Sequence, residues 1–389
     1  MGHMRPQRLE AALAAFEDPA AKARSLVPLH RAWASTAAIP APVRPVVARS
    51  WQRQSLKNPA IRPLGTGDIV DRRERAAVLS GLVPMLEERL LQLAADAGNE
   101  LVISDDEGYV LWVAGPSPIR RRSEDIGFVA GARWRETDVG TNGLGAAMAE
   151  RTPVQIFGPE HAREEQHTWV CTSAPIIEER TGQVLGAITL SGSYRTAHPH
   201  TLALVSATAR EAACLLAARH DRELHLLAGS VPAPPGRHVL VDAQGWVAHS
   251  AGFGVGNRLR LPGNLCAGGT WLPELGAVLA EEVPGGWLLH GGNRETDARL
   301  ELELAPVPVA VLVQDGQRTE IRLSERHGQI LALLVANPEG LDAHGLMEQL
   351  PGTTTTVTVR AELSRLRARL GGLIESRPYR LGLPASFRA

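Results

Sequence analysis

Two groups of residues in this 389-residue chain have the types and spacing to do chemistry. The first lies between residues 127 and 192. In the run Gly140-Thr141-Asn142-Gly143-Leu144-Gly145, the three glycines let backbone approach a ligand closely or turn tightly into a helix. Thr141 or Asn142 can cap that helix, whose first-turn N–H groups favour a polar or anionic ligand atom. Trp134, Phe157 and Trp169 offer apolar walls, and Glu136, Asn142 and Thr172 offer polar groups, the mixture found in small-molecule sites. The candidate ligand-binding set is therefore Trp134, Glu136, Thr141, Asn142, Phe157, Trp169, Cys171 and Thr172. Each also has a plain structural use: Gly-Thr-Asn-Gly as a cap and turn, the tryptophans as core.

His161, His167 and Cys171 follow in the spacing H-x5-H-x3-C. Zinc takes four ligands, or three and a water, in tetrahedral geometry. No C-x-x-C pair completes such a set, and His198 and His200 fall in another turn, so neither a metal nor another cofactor is expected. A thiol sensor at Cys171 stays open, since a neighbouring base would lower its pKa. Cys214, set among Ala and Leu on a helical pattern, reads as buried and inert.

The second group is C-terminal. Residues 351–389 carry seven arginines against two glutamates, in a chain whose formal net charge is −1. At 100° per residue, Val359, Leu363, Leu366 and Leu370 form one apolar stripe. Arg360, Ser364 and Arg367 lie to one side of it, and Arg365 and Arg369 to the other. Charge segregated in this way is the footprint expected for DNA phosphates. The competing reading is a solvated basic helix on a protein-binding domain.

Other classes are excluded early. Lys22 and Lys57 are the only lysines and neither follows a glycine-rich loop, so a P-loop ATPase or protein kinase is ruled out. Three scattered cysteines are no disulfide framework and suit a reducing cytoplasm, the expected location. No run approaches the ~18 apolar residues of a membrane span, and no membrane partner is expected.

The elements that must hold these residues follow from periodicity. Residues 7–35 are helical in spacing, with Pro19 as an interruption, and a Pro-rich joint covers 39–47. Residues 71–97 read as one long helix, with Leu79, Leu82, Val83, Leu86, Leu90 and Leu93 recurring at three and four residues. It packs either on its own domain or in a dimer. Residues 101–115 and 174–192 read as hairpins, a short helix falls near 143–150, and a helix covers 199–223. The stretch 229–236 is a linker by composition. Strand candidates then lie at 237–252, 286–290, 299–304 and 307–313, and helical patterns follow from 318.

The joint pattern of Trp134-x-Glu136, Gly-Thr-Asn-Gly-Leu-Gly, Pro153-Val-Gln-Ile-Phe-Gly-x-Glu-His161 and Cys171-Thr-Ser-Ala-Pro-Ile resembles the GAF domain of acetoin-catabolism-type bacterial activators. RSWQRQSLKNPAI at 49–61 is similar to that family's lead-in, and the similarity covers roughly residues 43–220. Residues 239–252 resemble the opening hairpin of a PAS domain. Residues 321–350 and 356–381 resemble an OmpR-type winged helix, with Ser324 capping its first helix and the helix at 357–370 in the recognition position. That resemblance places Arg377 and Arg380 in the wing, although Ser376-Arg377-Pro378 replaces the usual glycine-rich turn.

The resulting expectation is an α+β multidomain chain. It has an N-terminal helical region (5–98), a GAF-type antiparallel sheet with helices (99–226), a PAS-like unit (237–314) and a winged helix (318–389). The function expected is a one-component, ligand-responsive transcription regulator, not an enzyme. Its partners would be double-stranded DNA, an effector such as a small alcohol, ketone or aromatic, and a second copy in a homodimer. The DNA-contacting set is Arg360, Ser364, Arg365, Arg367, Arg369, Arg377 and Arg380. The alternatives are a redox or metal sensor acting through Cys171, or a methionine sulfoxide reductase of the kind some GAF domains are. That chemistry wants a resolving thiol as well as a nucleophile, and only Cys171 sits in a suggestive motif.

Overall fold

The computed structural model describes residues 9–14, 16–53, 61, 63–263, 265–272, 274–291, 299–314, 317–352, 355–370, 373–376 and 378–388. These form two compact units, divided after Arg219.

The first unit opens with helices α1 (Pro19–Thr36), α2 (Pro45–Arg53), α3 (Thr66–Arg75), α4 (Ala77–Ser80) and α5 (Val83–Asp96). The single helix expected over 71–97 is thus three. Pro84 sits in the first turn of α5, where its missing N–H costs nothing; further inside a helix it would break the ladder. Strands β1 (Asn99–Asp105) and β2 (Val110–Ala114) follow, then α6 (Ser117–Asp125), α7 (Glu136–Val139) and α8 (Gly143–Glu150). Strands β3 (Val154–Phe157), β4 (Trp169–Ile177) and β5 (Val184–Ser193) close an antiparallel sheet of order β2-β1-β5-β4-β3.

Strand alternation gives this sheet two different faces. Leu101, Ile103, Ala174, Ile176, Ile188 and Leu190 pack beneath α5 and α9 (Pro199–Ser230), with Leu86, Leu90, Val205, Ala209 and Ala212. Leu93 of the expected stripe is exposed instead. Glu100, Val102, Thr189, Ser191, Ser173 and Cys171 occupy the other face, where Val102 and Ala187 pack with Phe128, Trp134, Val139 and Leu144. Helix α9 is long and apolar enough on average to cross a membrane. Its buried Leu202, Val205, Ala209 and Ala212 mark the core helix of a folded domain. Cys214, expected to be buried, is exposed on α9.

The second unit holds β6 (His238–Asp242), β7 (Val247–Ala251), β8 (Gly268–Leu272), β9 (Gly276–Val283) and β10 (Gly286–His290). Their order, β7-β6-β10-β9-β8, places first and last strands side by side, as in the first sheet. The two opening hairpins also share a turn. Asp105 Oδ1 accepts from the N–H groups of Glu107 and Tyr109, and Asp242 Oδ1 from those of Gln244 and Trp246. Gly108 and Gly245 complete the two turns at φ 82° and 86°, a region other residues rarely enter.

Strands β11 (Arg299–Glu303), β12 (Val309–Gln314) and β13 (Gln317–Arg322) form a meander. Helices α10 (Glu325–Ala336), α11 (Ala343–Gln349) and α12 (Thr356–Leu370) follow, and β14 (Ala385–Phe387) returns parallel to β11. Ser324 and Asp342 accept backbone N–H groups as the N-caps of α10 and α11. The boundary expected at 314–318 does not match this packing. Leu300, Leu302 and Ala310 share one core with Ile330, Leu334, Leu346, Leu363 and Leu366, so β11 and β12 belong with the C-terminal helices. The strand pattern at 299–313 was legible; which sheet it joins depends on pairing partners distant in sequence.

Candidate functional site

The lead-in helix α2 turns out to explain much of the motif. The Arg53 guanidinium donates to both oxygens of the buried Glu136 carboxylate, Nε to Oε2 at 2.7 Å and Nη2 to Oε1 at 3.0 Å. Ser50 Oγ donates to Glu136 Oε1 at 2.5 Å and lies 2.7 Å from Thr141 Oγ1. Arg49 and Arg53 both pair with Glu150 at the end of α8, and together they hold its carboxylate below the usual range despite the opposing effect of burial. Trp51 stacks on Trp33 with ring centroids 4.5 Å apart and donates through Nε1 to the Glu160 carbonyl. Nearby, Arg44 forms a bidentate, largely buried pair with Glu160. Glu136 and Thr141, expected to touch a ligand, therefore spend their polar atoms on fastening α2 to the domain.

The other predicted residues divide between the two faces. Asn142 is the N-cap of α8: its Oδ1 accepts from Gly145 N–H, while Nδ2 donates to the carbonyls of Trp134 and Gly140. Trp134 is core, packed on Phe128 with its Nε1 donating to the Gly127 carbonyl. Phe157 and Thr172 lie on the α5/α9 face, Phe157 in a cluster with Leu13, Leu26 and Val170, and Thr172 accepting from Gln155. Of the predicted residues on strands, Trp169 and Cys171 share the face covered by α6 and α8, where Trp134 also packs. Strand register separates the members of one sequence motif.

That second face holds a residue that no sequence motif singled out. Glu100, Ser191 and Cys171 stand opposite one another across β1, β5 and β4. Ser191 Oγ contacts Cys171 Sγ at 3.2 Å. Glu100 is fully buried; Ser123 of α6 donates to its Oε2 at 2.8 Å, and its Oε1 has no hydrogen-bond partner. Burial pushes this carboxyl up to about 7, against the pull of Ser123 and Arg120, with Glu124 adding to the rise. Its signal in the sequence was an acidic residue just before the apolar run Leu101-Val102-Ile103 of β1. Above Cys171 the backbone of α8 is close: a Cβ on Gly143 would come within 2.6 Å of Cys171 Cβ. Arg122 of α6 lies over Trp169, 4.9 Å from the ring centroid.

The surroundings of the thiol disfavour redox chemistry. Burial drives the Cys171 thiol up to about 12, and the Glu100 charge adds to this, so the reactive thiolate is disfavoured. His161 is held down to about 4 by burial, its Nδ1 facing the Gly158 carbonyl. No cluster of three or more metal-ligating side chains occurs among the described residues.

The profile of the MimR N-terminal domain matches residues 28–213. The chain is 32% identical over 381 residues to an uncharacterized 47.3 kDa protein in the thcA 5′ region of Rhodococcus erythropolis, covering 94% of this chain and 71% of that one. The chain belongs to that protein's family. It is also 38% identical to the acetoin dehydrogenase operon transcriptional activator AcoR of Bacillus subtilis, over 36% of this chain and 23% of AcoR. With the propane 2-monooxygenase operon transcriptional activator MimR of Mycolicibacterium goodii it shares 27% identity, over 41% of this chain and 27% of MimR. The chain thus spans less than a third of either activator, and the profile match alone covers the α2 contacts and the sheet of the first unit.

At the other end, the seven predicted DNA-contacting residues also divide. Val359, Leu363, Leu366 and Leu370 are buried, so the apolar stripe of α12 faces the core. Arg360, Ser364 and Arg365 are exposed on its outer side, Arg365 at 3.3 Å from Glu362. Arg367 donates to the carbonyls of Ile374 and Glu375 and lies over Tyr379, fixing the turn that follows. Arg369 donates to the Arg322 carbonyl, and Arg380 pairs with Glu375 at 2.6 Å. Arg377 lies outside the described residues.

Proposed function

We propose that this chain is a cytoplasmic, ligand-responsive transcription regulator acting as a homodimer on double-stranded DNA. In this reading residues 99–226 are a GAF-type sensor, the sheet from residue 237 is PAS-like, and the C-terminal sheet and three helices are a winged-helix domain. The observation that carries it is the C-terminal arrangement. A capped α11 leads into α12, which buries its leucine stripe and turns Arg360, Ser364 and Arg365 outward. An exposed basic face on the third helix of such a unit suits phosphate and base contacts in a major groove.

The sensor half is supported by the match to the MimR N-terminal domain and by homology to the activator AcoR. AcoR and MimR bear the names of operons that handle acetoin and propane. A small alcohol, ketone or aromatic effector fits that company. Helix α9 supplies Val205, Ala209 and Ala212 to the core of the first unit and Leu227 to a cluster with Leu240 and Leu288 in the second. A ligand that binds one conformation of the sensor more tightly would shift α9, and the readout would follow that differential affinity.

The test is a mobility-shift titration with the DNA upstream of the protein's own gene. Replacing Arg360 and Arg365 with alanine should weaken binding and reduce the salt slope by about 2, one for each phosphate no longer neutralised. Unchanged affinity and slope would sink the assignment of α12.

A further inference from the structure

The two five-stranded sheets repeat one another beyond their strand order and their Asp turns. In each, a segment beyond the hairpin returns to the turn: Arg133 bridges Tyr109, and Arg258 bridges Trp246. The Trp134 N–H donates to the Gly108 carbonyl and the Leu259 N–H to the Gly245 carbonyl, both at 2.8 Å. Arg133 and Arg258 donate through Nε to the carbonyls of Glu107 and Gln244 and lie over the Tyr109 and Trp246 rings. On the central strands Gly186 stands opposite Asp105 and Gly286 opposite Asp242. Trp287 is therefore the counterpart of Ala187, and Leu259 that of Trp134. The face these residues mark is covered differently in the two sheets. In the first, α7 and α8 follow and pack Val139 and Leu144 with Trp134 and Ala187. In the second, residues 260–263 form no helix, and a cleft of about 750 Å³ lies beside the half-buried Trp287.

A volume of that size suits a small molecule. Leu261, Leu265 and Trp287 give the cleft an apolar wall, and Arg258 and Arg260 give it two cations. Arg258 is held at the turn by the Gln244 carbonyl and the Trp246 ring, whereas Arg260 is exposed and has no hydrogen bond or ion pair with a described residue. No carboxylate is among the described lining residues; Glu282, opposite Trp287 in register, is exposed. A guanidinium beside an indole suits a planar anion, because the fork bonds a carboxylate bidentately and the indole packs against a ring. We propose that the second sheet carries a ligand site of its own in this cleft, for a small aromatic carboxylate. Arg260 takes the carboxylate, while Trp287, Leu261 and Leu265 take the ring. The site lies in a different sheet from the sensor face and requires neither an effector there nor DNA binding. A neutral analogue forgoes the charge-assisted bonds, and a bare anion forgoes the apolar contacts.

The full chain should be titrated calorimetrically with benzoate, benzyl alcohol and inorganic phosphate. Benzoate is expected to bind, with benzyl alcohol and phosphate each about tenfold or more weaker, the one for want of charge and the other for want of a ring. Arg260→Gln should weaken benzoate about tenfold while leaving benzyl alcohol unchanged, because the charge-assisted bonds become neutral ones. Since Arg260 is exposed, this variant should keep the wild-type circular dichroism and urea midpoint. Benzoate affinity should also fall as salt rises, and less steeply in Arg260→Gln. Trp287→Leu should weaken benzoate and benzyl alcohol alike. No benzoate binding, equal affinity for benzoate and benzyl alcohol, phosphate bound as tightly as benzoate, or benzoate binding indifferent to Arg260→Gln each overturns the proposal. Benzoate binding that Arg260→Gln weakens, in a protein that does not shift DNA, would uphold this site and refute the regulator reading instead.

Discussion

Glu100 and His161 make opposite demands on pH, and replacing either should expose the other. Glu100 is pushed up to about 7 from an ordinary value of 4.5, so between these limits the folded state holds a proton that the unfolded state has released. Stability from this group is fully present below 4.5 and is lost as pH rises through 7, a loss of about 3 kcal/mol. His161 is lowered from 6.5 to about 4, so over that interval the unfolded state binds the extra proton. Its contribution is present above 6.5 and is lost as pH falls through 4, again by about 3 kcal/mol. The two trends largely offset one another in the wild type. Glu100→Gln removes the first. Its stability relative to wild type, from urea unfolding followed by Trp fluorescence, should therefore climb by about 3 kcal/mol between pH 4.5 and 7.5. His161→Asn should give the reverse, a relative gain as pH falls from 6.5 to 4. The comparison cancels every other titrating group, including His167, Asp105 and Glu150. A pH-independent difference for Glu100→Gln would show that the carboxyl is solvated and would refute the burial argument.

Other expectations follow from the same contacts. Arg53→Met should cost about 2–3 kcal/mol, since it strands the buried Glu136 carboxylate; adding Glu136→Leu should recover most of that loss in a double-mutant cycle, whereas additive costs would deny the coupling. Gly143→Ala drives a Cβ to 2.6 Å from Cys171 Cβ and 2.8 Å from Ser173 Oγ, and should destabilise by about 1–3 kcal/mol in chemical denaturation, with α8 displaced. Leu366→Ala should cost about 2–5 kcal/mol in the C-terminal core and abolish DNA shifting, while Ser364→Ala should leave stability within about 0.5 kcal/mol. Cys171 should resist alkylation by iodoacetamide at pH 8 in the folded protein, while the exposed Cys214 reacts.

Local patterns carried well from sequence to structure where the signal is local. The hairpins at 101–115 and 174–192, the helix at 143–150 and the caps Asn142 and Ser324 depend on a few adjacent residues. The stripe of α12 was legible because one helical period decides it. What escaped depends on register and on distant partners. Phe157 and Thr172 sit in the same motif as Trp169 and Cys171, yet the strands' alternation and pairing turn them to the opposite face. Glu136 looks like a ligand group until Arg53, far away in sequence, is found on it. Glu100 was overlooked because a single acidic residue at a strand's start is commonplace, and only burial without a partner marks it. The assignment of β11 and β12 to the C-terminal sheet likewise needed the pairing of β11 with β14.

The central claim joins an effector site in the first unit to DNA binding in the second, and one titration addresses both. Mobility shift of the upstream DNA, measured with and without saturating small alcohols, ketones and aromatics, should show one of these classes changing DNA affinity. DNA binding that is absent, or that responds to none of them, would contradict the account.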